Sequence, residues 1–333
     1  MRWVNSVAVA PLAAGLLLAS GCGNYSTEDI RFLSALPRRT DLHVAVPAQS
    51  APPPGALVSR AAVSAACPAI GDATVWQWAK PTSDDLNKAV DWVIGLVDVV
   101  RRYPPTDRRD DWRRWGPFDD DKHPRRELQI TIARSYPDLL AGEPRYAYTF
   151  EARVKGDGNF IPLIAGEFDG DSSAHGHGWV ELRFDNFRLL QMNDATTPDG
   201  TMRIQYDRVS DPRTTDLSLA TAGFGVVKFG YGYAGYANGS GAFDYAFREG
   251  DGDLLEVWAS YDTAGAGRLR VQFTAAPPSM ATGSFNQCFD AAGCLVYVDD
   301  PYNFTQSCGV GPGPCVTGDL AACATVPVAV PGF

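Results

Sequence analysis

The strongest constraint on the fold is a series of short segments between residues 127 and 287 in which apolar and polar residues alternate. This alternation places the apolar side chains of a β-strand on one face. Turns rich in Gly, Asp, Asn and Pro separate the segments, and they are too short for the crossover helices that parallel strands need. The sequence therefore predicts a mainly β fold, an antiparallel meander of about ten strands. The alternating segments are residues 128–132, 146–150, 180–184, 202–206, 217–219, 229–233, 243–247, 257–261 and 269–273.

Residues 84–102 predict one long helix beside this sheet. Asp84 and Asp85 at its start and Arg101 and Arg102 at its end match the helix dipole. Apolar residues occupy most of its circumference, so the helix must be buried against other elements. We expect the sheet to form an open half-barrel or a closed barrel that packs on this one long helix.

The N-terminus has the pattern of an export signal. Arg2 precedes an apolar run over residues 7–18, which is too short to span a bilayer permanently. The following residues, Leu18-Ala19-Ser20-Gly21-Cys22, resemble the lipobox of bacterial lipoproteins. The resemblance implies that the Cys22 thiol receives a diacylglycerol, that lipoprotein signal peptidase removes residues 1–21, and that the new amino group is acylated by a chain such as palmitate.

Acyl chains on Cys22 would hold a folded domain at a membrane surface, because each buried methylene contributes about 0.8 kcal/mol. Residue 23 is Gly instead of the Asp that retains such proteins at the inner membrane. The resemblance therefore implies a lipid-anchored location at the outer membrane, on either its periplasmic or its surface face. The chain as a whole looks like uncharacterised bacterial lipoproteins.

The cysteine count agrees with export. The chain has seven cysteines, and lipidation of Cys22 leaves an even number for disulfides. Short loops favour the pairs Cys288–Cys294 and Cys308–Cys315, although six cysteines allow 15 pairings. A zinc site is the competing interpretation, but no C-x2-C spacing is present. The remaining pair would be Cys67–Cys323, so the disulfide candidates are Cys67, Cys288, Cys294, Cys308, Cys315 and Cys323.

These features divide the chain into five parts. Within the second part, Thr27 is a candidate cap for a short helix over residues 28–36, and residues 42–46 alternate like a strand. The parts are a signal peptide (1–21), a lipid-anchored tether (22–70), a helix with a charged loop (71–126), an antiparallel β domain (127–287) and a Cys-rich, disulfide-stapled tail (288–333).

Three residues carry the sharpest candidate for chemistry. His175, His177 and Glu181 resemble the first cupin motif, HxHx3E, which binds a metal. Arg203 stands where the second motif would place a histidine, so half of the ligand set is missing. In addition, Val180 and its apolar neighbours alternate with these three residues along the strand and therefore point to the opposite face. If the apolar residues face the core, the three candidate ligands face water. We therefore expect no metal site and no cofactor.

Other clusters have both a functional and a structural interpretation. Acidic residues near turns, at positions 157, 167, 169 and 171, could bind calcium, but solvation at the surface is expected. Tyr231 and Tyr233 form an aromatic rail that could stack on sugars, yet they share their register with apolar rows, which favours core packing. Interleaved charges over residues 101–126 indicate a self-paired loop in which Trp112 and Trp115 stack on arginines.

The function expected from the sequence is that of a non-enzymatic lipoprotein with a binding or envelope-structural role. The formal net charge of -10 disfavours nucleic acid as a partner, and no nucleophile elbow, P-loop or dinucleotide fingerprint is present. A curved sheet around a helix resembles the lipoprotein carriers and receptors of the bacterial envelope, which implies a hydrophobic ligand between the two. The alternatives are a metal-dependent, cupin-like enzyme and a surface adhesion or carbohydrate-binding module.

Overall fold

The computed structural model describes residues 25–43, 67, 73, 101–137, 143–172, 175–193, 199–220, 226–249, 252–275, 282–303, 308 and 313–323, together with residues 87, 90, 91, 94, 95, 98 and 100. Cys22 and the whole predicted signal peptide lie outside the described residues. Most of the predicted tether does so as well.

A single antiparallel sheet of fifteen strands dominates the described chain. Strands that follow one another in sequence are neighbours in space throughout, and β1 and β15 are the two edges of this open sheet. The prediction of a mainly β, antiparallel meander is therefore confirmed. The strands are β1 (Asp107–Arg108), β2 (Trp112–Asp119), β3 (Arg126–Ser135), β4 (Arg145–Val154), β5 (Ile161–Ser172), β6 (His175–Arg183), β7 (Thr201–Asp207), β8 (Arg213–Ala220), β9 (Val226–Gly235), β10 (Gly241–Glu249), β11 (Leu254–Tyr261), β12 (Gly267–Thr274), β13 (Thr282–Phe289), β14 (Leu295–Asp300) and β15 (Cys315–Gly318).

The sheet has two faces of different character. On its core face, apolar and aromatic side chains such as Val180, Ile204 and Leu217 lie opposite one another on adjacent strands and are buried. We call the opposite side the outer face, where strands β4 to β8 carry mainly polar and charged side chains. The alternation in the sequence produces this division because successive residues of a strand point to opposite sides.

The sheet extends beyond the predicted β domain at both ends. Strands β1 and β2 lie in the segment expected to be a charged loop, and β14 and β15 lie in the Cys-rich tail. Trp112 stacks with arginines as expected, with the Arg114 guanidinium 4.7 Å from its ring centre. The same expectation is wrong for Trp115, which is fully buried and donates a hydrogen bond from Nε1 to the Tyr103 carbonyl at 2.8 Å. Its burial in the core explains why β2 forms despite its charges.

Several residues between 25 and 43, within the predicted tether, are buried in the hydrophobic core. Helix α1 (Thr27–Ser34) is capped by Ser26, one residue before the predicted cap. Phe32 is fully buried and packs edge-on against Tyr146 of β4 with ring centres 5.6 Å apart. A second short helix, α2 (Arg39–Leu42), stands where the predicted strand over residues 42–46 begins, and residues 44–46 lie outside the described residues.

Within segment 84–102, the described residues up to Val100 are helical, and Arg101 and Arg102, predicted as the end of the helix, form a turn. Val90, Ile94 and Val100 are buried and belong to the same hydrophobic core as the sheet. A further short helix, α3 (Phe184–Leu189), follows β6 and buries Phe184 and Phe187. A 3₁₀ helix (Leu320–Ala322) follows β15.

The cysteines outside the lipobox form three disulfides: Cys67–Cys294, Cys288–Cys323 and Cys308–Cys315. The prediction for the last pair is confirmed, and the predicted pairs Cys288–Cys294 and Cys67–Cys323 are wrong. In the hairpin of β13 and β14, Cys288 lies opposite Tyr297, whereas Cys294 lies in the turn. The two cysteines are therefore out of register, and each bonds to a distant segment instead.

A buried ion pair joins helix α1 to the first strands. Asp29 is fully buried, and its carboxylate accepts hydrogen bonds from Nε of Arg113 at 2.7 Å and from Nε of Arg108 at 3.1 Å. The Ser26 backbone amide donates a hydrogen bond to the Asp29 carboxylate, and the Ser26 hydroxyl accepts one from the Asp29 backbone amide. Together the two bonds form a capping box. Burial alone would raise the pKa of Asp29, but the hydrogen bonds from Ser26, Arg113 and Arg108 lower it below its usual value.

Candidate functional site

A groove of about 460 Å³ lies on the outer face of the sheet over strands β5 to β8. The strand register places Glu167, Trp179, Gln205 and Asp216 opposite one another in a single row across these four strands. We call the depression along this row the outer-face groove. A second row on the same face lies two residues further along each strand. It contains Asp169, His177, Asp207 and Thr214.

Trp179 is the aromatic centre of the outer-face groove. The Arg203 guanidinium carbon lies 4.0 Å from its ring centre, and the indole Nε1 lies 3.4 Å from Glu167 Oε2. Arg203 also approaches Glu181, with Nη1 3.5 Å from Oε2. These contacts hold the indole between a cation and a carboxylate, so its orientation is fixed before any ligand arrives.

The structure places the three cupin-like residues on the outer face, as the parity of β6 predicts. His175 and His177 are exposed, and His177 Nε2 lies 3.5 Å from Asp169 Oδ2. Glu181 points toward cations instead of toward the histidines, because it pairs with Arg183 at 3.0 Å as well as with Arg203. Among the described residues, no three His, Cys, Asp or Glu side chains are arranged to hold a metal ion.

The turn acids and the aromatic rail also have structural roles. Asp169 accepts two hydrogen bonds from the Arg145 guanidinium, at 2.7 and 3.0 Å, so it is already paired. Tyr231 and Tyr233 lie on the core face and are 1% and 8% exposed, and Tyr231 stacks on Phe243. The rail therefore fills the core, as the register predicts, and offers no surface to a sugar.

Two aspartates next to the groove escaped the sequence analysis. Asp216 of β8 lies opposite Gly232 of β9, which in turn lies opposite Asp244 of β10. A Cβ atom at residue 232 would lie 2.4 Å from Asp244 Oδ1 and 3.4 Å from Asp216 Oδ1. Both carboxylates therefore lie close to the backbone of Gly232, which has no side chain to separate them. Asp216 lines the groove, and Asp244 lies beyond it.

Asp244 has no cationic partner among the residues that the structure describes. It is 2% exposed, and its Oδ1 has no hydrogen-bond partner within that part of the chain. Ala234 and Ala242 on the same face are fully buried as well. Burial, together with the nearby charge of Asp216, raises the pKa of Asp244 to about 7. Burial also raises the pKa of Asp216.

Asp207 behaves differently although it lines the same groove. Burial alone would raise its pKa, but hydrogen bonds from the Ser210 side chain and from the backbone amides of Ser210 and Val209 lower it. The carboxylate is thus ionised and held in a turn. Asp244 differs, because its own backbone amide is the only donor that lowers its pKa, and this does not offset burial and the charge of Asp216.

The composition of the groove defines a class of site: an open, polar depression on a sheet face with one fixed indole and several carboxylates. A comparison with known proteins finds no matching family model, no matching curated protein and no matching solved structure. None of the helices that the structure describes is both long and apolar enough to cross a membrane. The functional assignment therefore depends on the geometry of this site and on the sequence signals.

Proposed function

We propose that this chain is an exported, non-enzymatic lipoprotein of the outer membrane that binds a saccharide in the outer-face groove. The lipobox supports anchoring by acyl chains on Cys22. Three disulfides support an oxidising compartment, because such bonds are rare where glutathione keeps thiols reduced. The same predicted location supports a membrane as a partner and disfavours nucleic acid.

The architecture that goes with this function is a half-barrel packed on the helix of residues 84–102. Burial of Val90, Ile94 and Val100 in the core of the sheet supports it. A hydrophobic ligand between sheet and helix would need free space on the core face. Tyr231 and Phe32 are buried there among other aromatic side chains, which favours recognition on the outer face.

The observation that carries the proposal is the fixed indole of Trp179 in a groove with hydrogen-bonding side chains on both sides. Arg203 covers one face of the Trp179 ring, so a sugar would place its C–H groups on the other face, while neighbouring amides and carboxylates bind its hydroxyl groups. Gln205 and Glu167 lie directly opposite Trp179 on the adjacent strands and supply those groups. The groove is also open, which suits a chain of sugar units better than a buried small molecule.

Binding to a glycan array, followed by calorimetry with the glycans that bind, tests the proposal. We expect Trp179→Ala to weaken binding about tenfold or more, the equivalent of the aromatic contribution of one side chain. Trp112→Ala is the matched control, because Trp112 stacks between arginines on β2, away from the groove. The saccharide proposal fails if no glycan binds, or if both variants bind like the wild-type protein.

The anchor has its own test in the native host. Metabolic labelling with palmitate and the intact mass of the product should report acyl chains on residue 22, and Cys22→Ala should abolish both the label and membrane fractionation. A wild-type product with an uncleaved leader or a free Cys22 would contradict the anchor. It would leave the groove experiment unaffected.

A further inference from the structure

We propose that Asp216 and Asp244 form a site for a protonated primary amine of the ligand, so that the groove selects glycans with free amino groups over their N-acetylated forms. This inference rests on the proposed saccharide binding and names the substrate class. The site is the pair of carboxylates that lean over Gly232 at the β8 end of the outer-face groove.

The Asp244 carboxylate is buried and incompletely hydrogen-bonded. Asp244 is 2% exposed and its Oδ1 has no hydrogen-bond donor among the described residues. A buried carboxylate without a partner is costly, and proteins normally supply a cation or several donors. Asp29 in the same molecule receives two arginines. Asp244 has only its own backbone amide as a donor, so its Oδ1 remains an unsatisfied acceptor within the described part of the chain.

Asp216 lines the open groove, so an ammonium group that enters the groove meets this carboxylate first. Gly232 lets the Asp244 carboxylate pack directly on the backbone, because a Cβ atom there would lie 2.4 Å from Asp244 Oδ1. The buried Asp244 side chain must therefore turn toward the groove to share the ammonium group with Asp216. An ammonium group has three donors that can rotate, and it can therefore bridge two carboxylates that lie on either side of it.

The charges around Asp244 favour a cationic ligand. Of the elements beside Asp244, β8 contributes Asp216, and β9 contributes no charged side chain in the opposing row. On β11, Trp258 lies opposite Asp244 and Glu256 is a diagonal neighbour. The nearest cation in the same row is Arg270 of β12, which lies over the Trp258 ring at 5.6 Å. The site is thus acidic and matches a cationic ligand.

An amine fits this site better than a metal ion. Calcium takes six to eight oxygen ligands, whereas two carboxylates supply at most four oxygens. An ammonium group needs only three acceptors. The outer-face groove then holds the sugar rings at Trp179, and the amino group of a unit further along lies at Asp216 and Asp244.

Proton balance gives the binding a characteristic pH dependence. In the free protein near neutral pH, a proton resides on Asp244 for much of the time, since burial and the charge of Asp216 raise its pKa to about 7. Binding requires the ammonium form of the ligand and the carboxylate form of Asp244, so Asp244 releases its proton to the buffer on binding. Below pH 7 the affinity should fall by up to about tenfold per pH unit as Asp244 becomes protonated, and it should fall again at alkaline pH as the ligand amine loses its proton.

The test compares two matched hexasaccharides on the full-length protein in detergent: one of glucosamine and one of N-acetylglucosamine. By calorimetry at pH 7, where the ligand ammonium and the Asp244 carboxylate are both populated, we expect the glucosamine hexamer to bind at least about tenfold more tightly. In Asp244→Asn, the affinity of the glucosamine hexamer should fall to that of the acetylated one. The control Asp119→Asn alters an exposed acid on β2 and should keep the preference. Circular dichroism verifies the fold of each variant.

Each outcome separates this inference from the proposed function. Equal affinities for the two hexamers would overturn the amine site and leave saccharide binding in place. Binding of spermidine that is lost in Asp244→Asn, without binding of any glycan, would support the amine site and overturn saccharide recognition. Stoichiometric binding of calcium chloride that depends on Asp244 would overturn the amine site in favour of a metal.

Discussion

Asp29 and Asp244 are both buried aspartates, but their carboxylates have opposite surroundings. Asp29 lies between helix α1 and strand β2, where Arg108, Arg113 and Ser26 supply it with donors. Asp244 lies on the outer face beside the groove, with Asp216 and bare glycine backbone nearby. The difference indicates which buried charge maintains the fold and which is available for a ligand.

The two residues also respond to protons in opposite directions. The pKa of Asp29 is lowered, so its contribution to stability is present above the pKa of the unfolded chain and is lost as the pH falls. The pKa of Asp244 is raised to about 7, so the folded protein is most stable while this group is protonated and loses stability as the pH rises toward 7. Substitutions that remove each charge should therefore have opposite consequences.

The largest effect is expected for Asp29→Asn. This change leaves the buried Arg113 guanidinium without its counter-ion, and breaking a buried pair in this way costs about 3–5 kcal/mol. Urea unfolding followed by tryptophan fluorescence measures the loss. The control Asp119→Asn removes an exposed pair with Lys155 and should cost less than about 1 kcal/mol. Similar losses in the two variants would show that Asp29 is not specially dependent on its partners.

A smaller effect, of opposite sign, is expected for Asp244→Asn at neutral pH. Between the pKa of the unfolded chain, 3.8, and about 7 in the folded protein, wild-type stability should fall by up to about 4 kcal/mol through this group. The variant has no such proton to lose, so its free energy of unfolding should depend less on pH and exceed that of the wild type at pH 8. Unfolding at pH 5 and pH 8 measures both slopes. Parallel slopes would contradict the expectation.

The smallest of the three effects is expected for Gly232→Ala. Its methyl group would meet Asp244 Oδ1 at 2.4 Å, and relieving such overpacking costs about 1–3 kcal/mol. The cost should shrink in an Asp244→Ala background, because the obstructing oxygen is gone. Gly158→Ala, in open space, serves as the control. An equal cost in both backgrounds would mean that the carboxylate does not occupy the space above Gly232.

The sequence predicts those strands correctly in which the local alternation of apolar and polar residues decides the structure. The alternation at residues 180–184 and 202–206 predicts strands β6 and β7, and parity alone predicts that His175 and His177 face outward. It failed at β2, because the arginines that flank Trp112 and Trp115 conceal the alternation. There, burial of the tryptophan side chain and pairing with β3 outweigh the charge of the segment.

The candidate site could not be predicted from the sequence, for a different reason. Asp216 and Asp244 each occupy an outward position of an alternating strand, which is where surface acids normally occur. Only the register of β8, β9 and β10 brings them to the two sides of Gly232, and the register depends on turn geometry across the sheet. The disulfides follow the same rule, because the out-of-register positions of Cys288 and Cys294 outweigh their closeness in sequence.

The most direct test of the account is an NMR titration of the Asp244 side-chain carboxyl carbon in the protein without ligand. An uncompensated carboxylate beside Asp216 should titrate with a midpoint near 7, and Asp216→Asn should lower this midpoint by removing the neighbouring charge. A midpoint near 4, the ordinary value for an aspartate, would contradict the account, because it would mean that Asp244 already has the donors or the water that the proposed amine is expected to replace.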